Sequence, residues 1–299
     1  MAKELVFPSV DYASGKTDTS IISDADFDKF RDFFYRKTGI KFSESKRYFV
    51  DKRLIERMEH TGHQSFRSYF SFMRFQASGE EVQKLINAMT VNETYFFREA
   101  YQFDCLVENV MDEIVKNKIS DNKSSLSSQT IRIWSIPSST GEEPYSIALY
   151  LLEKWPGINS YDVEIVSSDI DSNVLASAKE GIYNERSVKL LPVEYKHKYF
   201  TSMGNGKYQI NSDIRQSVKF TQVNLAEPAQ TRSYRGFDIV FCRNLLIYFD
   251  DVSRRQAADI FFDALNPNGF VFLGHSESMS RISSLYKIRK FPKALVYQR

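Results

Sequence analysis

The second half of the chain alternates short apolar runs with amphipathic helical segments, and this alternation constrains the fold more than any other feature. The apolar runs have the length and residue types of β-strands. They are "IRIWSI", "DVEIVSSDI", "FDIVFCRN" and "GFVFLGHSES". Helical patterns such as "DVSRRQAADIFFDAL" lie between them. Because strands that alternate with helices form parallel sheets covered on both faces, the sequence predicts an α/β domain with a doubly wound, mostly parallel sheet over residues 131–299.

One polar stretch interrupts this alternation. Within it, "GKYQI" and "VKFTQV" look like short strands, and "GNG" is a turn signal. We interpret the stretch as a small β-subdomain, at about residues 195–223, inserted into the larger domain.

The first part of the chain has helical periodicity instead. We expect a helix that begins at the cap candidate Asp24 and stops at Gly39, and a second one capped by Ser43. A third is predicted in "QSFRSYFSFMRF" and a fourth around residues 82–89. Residues 23–91 are therefore predicted to form an all-α domain. The first helix has an aromatic face made of Phe27, Phe30 and Phe34.

Residues 92–130 are predicted to link the two domains. A longer helix, from about Glu99 to Lys118, has Phe103, Leu106 and Val110 on its apolar side. The serine-rich stretch "SDNKSSLSSQT" that follows it is typical of an exposed connection. We expect the polar residues 1–22 to be flexible.

Composition excludes several classes of protein. Forty basic and thirty-eight acidic side chains give a net charge of +2, which argues against a nucleic-acid partner unless the charge is clustered. Two distant cysteines, Cys105 and Cys242, favour a reduced cytoplasmic location over a disulfide framework. His60 and His63 have a spacing found in metal sites, but nothing nearby completes a ligand set, so no metal is predicted. No apolar run suggests membrane insertion.

Polar residues follow the predicted strands, where parallel sheets bind their ligands. Glu142 and Glu143, after the first strand, would repel a phosphate and instead favour a cationic or hydroxyl-rich ligand. The alternative is that they only stabilise a helix N-terminus next to Pro144. Asp169 ends the second strand, where a carboxylate commonly binds a ribose diol, but Asp169 or Asp171 is equally suited to capping the next helix.

Several longer motifs resemble the successive signatures of the CheR family of chemotaxis-receptor glutamate methyltransferases. They are "NETYFFRE", "WSIPSSTGEEPYSIAL", "SSDIDSNVLASAKEGIY", "VNL", "DIVFCRNLLIYFD" and "GFVFLGHSES". The resemblance implies an all-α N-terminal domain followed by a Rossmann-like methyltransferase domain with an inserted β-subdomain. It also implies the cofactor S-adenosylmethionine, which has no phosphate and carries two cationic groups, so that acidic residues suit it.

The resemblance also implies the site residues. The cofactor-binding positions are Asn92, Thr94, Arg98, Glu143, Asp169, Asn224, Leu225, Arg243 and Asn244. Arg98 suits either the α-carboxylate of the cofactor or the carboxylate of the substrate, and the sequence leaves both open. Tyr248 is expected to guide the substrate oxygen, with simple packing as the alternative. The choice of Glu143 over Glu142 rests on the resemblance alone.

The implied reaction is methyl transfer to receptor glutamates, which are already ionised at neutral pH. The implied partners are the cytoplasmic methylation helices of the receptors. Lys46, Arg53 and Arg57 share one sector of the second helix and form a candidate docking surface, although a solvated helix face explains them equally well.

Two departures from the family pattern affect the expectations. The hairpin at residues 200–220 is shorter than in members that bind a C-terminal receptor tether, so tight tether binding is not expected. Ile136 and Pro137 replace small residues in the cofactor loop. Either the proline changes the path of the loop, or the replacement is ordinary loop variation. They are the only sequence support for the alternative function, a cofactor-binding sensor or scaffold. A nucleic-acid methyltransferase is disfavoured by the balanced charge.

Overall fold

The computed structural model describes residues 22–120 and 130–299. The predictions of a flexible start and of an exposed serine-rich connection therefore fall, except for Ile22, Ser120 and Thr130, outside the described residues. None of the helices in the described ranges is long and apolar enough to cross a membrane.

The N-terminal domain is built from helices around an aromatic core. These helices are α1 (Asp24–Thr38), α2 (Arg47–His60), α3 (Phe66–Phe75) and α4 (Glu80–Met89). Phe27, Phe30 and Phe34 are buried together, as the periodicity predicts. Gly39 ends α1 with a φ of 72°, a conformation that glycine adopts without strain.

Both predicted N-caps in this domain are wrong. Ser23, not Asp24, caps α1, because its hydroxyl accepts a hydrogen bond from the Asp26 N–H. Ser43 precedes a 3₁₀ turn, Glu44–Lys46, without capping it, and α2 begins only after that turn. Serine and aspartate are nearly equivalent as caps, so adjacent candidates are not separated by residue type.

The helical segment after α4 runs from α5 (Ala100–Cys105) through a π-helical turn (Leu106–Val110) into α6 (Met111–Ser120). The predicted apolar side of this segment is buried against the larger domain.

The larger domain contains a mostly parallel sheet, as predicted. Its strands, in the part of the chain that the structure describes, are ordered β6-β2-β1-β7-β8-β10-β9. Their bounds are β1 (Ile131–Ser135), β2 (Val163–Asp169), β6 (Val218–Gln222), β7 (Phe237–Cys242), β8 (Leu265–Leu273), β9 (Lys287–Lys290) and β10 (Leu295–Gln298). Strands β6, β2, β1, β7 and β8 are parallel to one another, while β10 is antiparallel to both β8 and β9. The chain order reverses between β1 and β7, which is the switch point where such sheets bind ligands.

Helices connect these strands and cover the sheet. They are α7 (Glu142–Lys154), α8 (Ser172–Glu180), α9 (Glu185–Val188), α10 (Val193–Tyr199), α11 (Ser212–Gln216), α12 (Pro228–Thr231) and α13 (Asp251–Ala264). Strand β7 is buried along its whole length.

A separate antiparallel sheet consists of β3 (Ile182–Asn184), β5 (Lys207–Ile210) and β4 (Phe200–Gly204), in that spatial order. The prediction that "VKFTQV" belongs to this small sheet is wrong. That segment is β6, which pairs in parallel with β2 and forms one edge of the main sheet. The third strand of the small sheet is instead β3, which lies before the predicted start at residue 195. A five-residue strand with two exposed residues fits an edge of either sheet.

Candidate active site at the strand ends

A cavity of about 260 Å³ lies at the carboxyl ends of β1 and β7. Its lining includes seven of the residues predicted from the sequence: Asn92, Thr94, Arg98, Glu143, Arg243, Asn244 and Tyr248. Asp169, Asn224 and Leu225 are not part of that lining. Other lining residues that the sequence analysis did not single out are Val91, Glu93, Tyr95, Ser138, Ser139 and Ile247.

Arg243 lies between two carboxylates at the floor of the cavity. Its Nη1 is 3.0 Å from Glu143 Oε2, and its Nη2 is 3.2 Å from Glu99 Oε2. Nη2 also donates to the Arg98 carbonyl, and the guanidinium packs 5.3 Å from the Phe103 ring centroid. Burial raises the pKa of Glu143, and the Arg243 guanidinium opposes that rise. One guanidinium facing two carboxylates leaves an excess of negative charge, which suits a cationic ligand.

Glu99 was missed by the sequence analysis, although it ends the quoted motif "NETYFFRE". Glu99 and Phe97 have φ angles of 56° and 60°, a region that non-glycine residues occupy mainly at turns and functional sites. Arg98 lies between them at the wall of the cavity. Its Nη1 donates to the Glu93 carbonyl at 2.8 Å, and its guanidinium is 5.8 Å from the Tyr95 ring centroid.

Asp169 supports the loop between β1 and α7. Its side chain is buried, and its two oxygens accept hydrogen bonds from the N–H groups of Ser139 (2.8 Å) and Asp171 (2.9 Å). Burial raises the pKa of Asp169 to about 6, although these two hydrogen bonds act to lower the pKa. Asp171, not Asp169, caps α8, since it accepts from the N–H groups of Asn173 and Val174. The capping alternative therefore applies to Asp171, and a ribose contact by Asp169 stays a prediction.

The loop between β1 and α7 turns tightly over this carboxylate. Ile136 N–H donates to the Phe241 carbonyl, and Ser138 N–H donates to the Ser168 carbonyl. The unusual pair Ile136 and Pro137 is thus accommodated between two strand ends. Gly141 has a φ of 95°, and a β-carbon there would lie 3.0 Å from Ala178 Cβ, so a larger residue would strain the loop.

The two glutamates after this loop point to different places. Glu143 lines the cavity, where Ser135 Oγ donates to its Oε1 at 2.9 Å. Glu142 is buried and accepts from Thr140 Oγ1 at 2.6 Å. Burial raises the pKa of Glu142.

Asn224 and Leu225 have structural contacts in the described residues. The Asn224 side chain donates to the Lys37 carbonyl at 2.6 Å and accepts from the Ala226 N–H at 2.9 Å. Leu225 is buried in the core behind the sheet. Their predicted cofactor contacts remain predictions.

The segment after β7 carries Asn244 and Tyr248 along one side of the cavity. Asn244 has a φ of 60°. The Glu277 carboxylate accepts hydrogen bonds from the N–H groups of Asn244 (2.8 Å), Leu246 (2.7 Å) and Gly274 (2.8 Å). The sequence analysis missed Glu277, although it lies in the quoted motif "GFVFLGHSES". Tyr248 is 39% exposed at the cavity.

The candidate docking residues do not form one free surface. Lys46 is exposed, and Arg53 forms a 2.8 Å ion pair with Glu56. Arg57 is bound inside the domain, because its Nε and Nη2 donate to the two oxygens of Glu81 at 2.9 and 2.8 Å. This internal partner argues against the predicted role of Arg57 in the docking surface, which no observation tests directly. Helical spacing places Arg57 on the same side as Arg53, but α4 packs there and supplies the buried partner.

The described ranges, 22–120 and 130–299, contain no group of three or more His, Cys, Asp or Glu side chains arranged as a metal site.

Two protein-family models match the chain. "CheR methyltransferase, all-alpha domain" matches residues 25–90, and "CheR methyltransferase, SAM binding domain" matches residues 92–295. The chain is 56% identical over 277 residues to chemotaxis protein methyltransferase 2 of Vibrio cholerae, covering 93% of both chains. It is 34% identical over 271 residues to the chemotaxis protein methyltransferase of Salmonella typhimurium, covering 90% of this chain and 88% of the relative. Identity to the Escherichia coli chemotaxis protein methyltransferase is 32% over 277 residues, covering 91% of both.

Proposed function

This chain belongs to the CheR methyltransferase family, and we propose that it transfers the methyl group of S-adenosylmethionine to glutamate side chains of chemotaxis receptors. The products are glutamate methyl esters and S-adenosylhomocysteine. The observation that carries the proposal is the cavity at the switch point of the sheet, where Arg243 is shared by Glu143 and Glu99.

The residues of this cavity fit the cofactor. The Nε of buried Arg243 has no hydrogen-bond partner among the described residues, and the two carboxylates around the guanidinium leave negative charge for a cationic group. Glu143 and Asn244 would hold the amino acid part of the cofactor. Asp169, which already accepts a hydrogen bond from the Ser139 N–H, would also accept hydrogen bonds from the ribose hydroxyls. Asn92 and Thr94 line the same wall.

When bound, the cofactor supplies an electrophilic methyl group on a sulfonium. The protein has to align the acceptor carboxylate, because a glutamate with a pKa of about 4.3 needs no general base at neutral pH. Arg98 lines the cavity, where its guanidinium would bind a carboxylate of either the cofactor or the substrate. Tyr248 supplies a hydroxyl at the cavity mouth for the acceptor oxygen. Closure of this site by a substrate helix would remove water from the carboxylate.

The receptor methylation helices are the proposed partners, and the cytoplasm is the proposed location because those helices are cytoplasmic. Lys46 and Arg53 remain the candidate docking residues on the exposed side of α2 and its preceding turn. A surface of this charge raises encounter rates with a glutamate-rich helix at low salt.

We also propose that this protein does not bind a receptor tether tightly. Strands β4 and β5 are joined by the short turn at Asn205, and their register shifts between Ser202 and Gly204. Such irregularities twist a sheet edge away from further pairing. Titration of a receptor C-terminal peptide into the purified protein should give no micromolar binding. Micromolar binding that is abolished by changes in Gly204–Ile210 would contradict this proposal.

The main test is incorporation of radiolabelled methyl groups into receptor-rich membranes, followed by release of methanol in mild base. Only an ester gives base-labile label. The wild-type protein should produce base-labile label. Tyr248→Phe should produce less of this label, while its binding of S-adenosylhomocysteine, measured by calorimetry, stays unchanged. Binding of S-adenosylhomocysteine without any base-labile label would favour a cofactor-binding sensor or scaffold instead. A folded protein that binds neither cofactor form would overturn both functions.

A further inference from the structure

The connection between α1 and α2 contacts the segment that carries Tyr248. Ile40 and Phe249 form an isolated antiparallel β-bridge. Beside it, the Lys41 N–H donates to the Tyr248 carbonyl at 3.4 Å. Gly39 lies so close to the helix that follows this segment, α13, that a β-carbon there would be 3.2 Å from Ser253 Oγ. The all-α domain therefore touches the backbone of Tyr248 itself.

A side chain of α1 reinforces this contact. The Tyr35 hydroxyl donates to Asp250 Oδ1 at 3.1 Å. The same oxygen accepts from the Ser253 N–H at 3.0 Å and so caps α13. Tyr35 thus connects the N-terminal domain to the point where the Tyr248 segment enters a helix.

The two ends of the Tyr248 segment are held by different parts of the molecule. Glu277 fixes the first end through the N–H groups of Asn244 and Leu246. The hydrogen bonds of Glu277 described above do not extend to Tyr248 or to the residues after it. At that second end, the contacts with the all-α domain come from Tyr35 and from the α1–α2 connection.

We infer that Tyr35 is a positioning residue for methyl transfer, which acts by holding Asp250 and, through it, the backbone that presents Tyr248. The inference rests on the proposed function and deepens it, because it makes the all-α domain part of the framework of the methyl-transfer site. Cofactor binding depends on other elements of the cavity and should respond little to Tyr35.

The test compares Tyr35→Phe, which removes only the hydroxyl, with Tyr48→Phe in the same domain, where the tyrosine is 74% exposed. The net contribution of one hydrogen bond, about 1 kcal/mol, corresponds to a roughly fivefold change in a rate or equilibrium constant. Tyr35→Phe should lower kcat for receptor methylation about five- to tenfold and leave the Kd for S-adenosylhomocysteine within about twofold. Because Tyr48 lies on the same helix as the candidate docking residue Arg53, receptor is used at saturation, and Tyr48→Phe should then change neither kcat nor this Kd.

Hydrogen exchange gives a readout that does not need methylation activity. The N–H groups of Tyr248 and Phe249 bond to the carbonyls of Leu245 and Leu246, and their exchange should become about fivefold faster in Tyr35→Phe. If the wild type shows this protection but methylates nothing, the proposed function fails and the positioning contact stands. Unchanged exchange of these amides in Tyr35→Phe overturns the inference.

A double-mutant cycle with Asp250 separates positioning from general stability. Asp250→Asn keeps an oxygen for both Tyr35 and Ser253, so its kcat should stay near that of the wild type. In an Asp250→Ala background, Tyr35→Phe should have no further effect on kcat, because both changes remove the same contact. If the losses of kcat in the two single variants add up in the double variant, Tyr35 does not act through Asp250. If kcat falls in parallel with the melting temperature in all variants, the role of Tyr35 is structural only.

Discussion

Replacing Arg57 by alanine should unfold the all-α domain far more readily than replacing its neighbour Arg53. The Glu81 side chain is only 3% exposed, and the Arg57 guanidinium binds both of its oxygens. The bond to Glu81 raises the pKa of Arg57. Arg57→Ala leaves a buried carboxylate whose remaining side-chain donor is the Tyr69 hydroxyl, at 2.8 Å. Removing one partner of a buried ion pair costs about 3–5 kcal/mol.

That loss is large compared with a typical total stability of about 5–15 kcal/mol. Arg53 provides the matched control, since its pair with Glu56 is formed at the surface, with side chains 37% and 45% exposed. Exposed pairs contribute about 0–1 kcal/mol. Urea denaturation of the full chain, followed by circular dichroism, should therefore show a much lower midpoint for Arg57→Ala and little change for Arg53→Ala.

The same two variants separate folding from docking. Arg53→Ala should raise the KM for receptor and weaken its dependence on salt, because one docking charge is lost. Arg57→Ala, assayed at a temperature where it is folded, should leave the salt dependence unchanged. Equal stability losses in the two variants, together with a flatter salt dependence in Arg57→Ala, would refute the assignment of Arg57 to the interior.

Three further changes test the cavity. Arg98→Ala should lower kcat/KM by at least about a hundredfold with a small change in melting temperature, because a half-exposed arginine contributes little to the fold; parallel losses of rate and stability would make Arg98 structural. Burial raises the pKa of Asp169 from 3.8 to about 6. The burial of this carboxylate therefore does not destabilise the fold below about pH 4, where it is protonated in both states, and destabilises it fully above about pH 6. Calorimetry should show weaker S-adenosylhomocysteine binding as Asp169 is protonated below pH 6, and Asp169→Asn should flatten that dependence; an unchanged profile in the variant would exclude Asp169 as the titrating group. Glu277→Gln turns an amide donor toward N–H groups that need an acceptor, so it should destabilise the Asn244 turn by about 1–3 kcal/mol; cofactor affinity and stability equal to those of the wild type would contradict the role of Glu277.

The parts of the fold that the sequence predicts well are those with a long repeated pattern. The aromatic face of α1 and the strand–helix alternation after residue 130 each extend over many residues, so a single exception does not obscure them. Strand β6 is short and lies at a sheet edge, and nothing in its residues distinguishes pairing with β2 from pairing within the small sheet.

The charged contacts were harder to predict, since they depend on partners distant in sequence. Arg57 and Glu81 lie on different helices, and only the packing of α2 against α4 reveals that they meet. Glu277 likewise acts on backbone N–H groups more than thirty residues away, which carry no residue-specific signal. By contrast, the motif resemblance predicted Arg98, Glu143 and Arg243 at the cavity, because each lies within a continuous block of sequence.

Residues of both domains hold the backbone around the cavity. After β2, Asp171 Oδ2 accepts hydrogen bonds from Thr90 Oγ1 at 2.6 Å and from Asn92 Nδ2 at 3.0 Å. On the opposite side, Tyr35 and Lys41 hold the Tyr248 segment. The all-α domain thus contacts the polypeptide after β2 and after β7, which are the two strand ends that flank β1. Both contacts fix backbone near the cavity. Under the proposed function, a receptor helix that docks on this domain would therefore meet a surface whose distance from the cavity is fixed by hydrogen bonds, so that docking would also align the acceptor carboxylate.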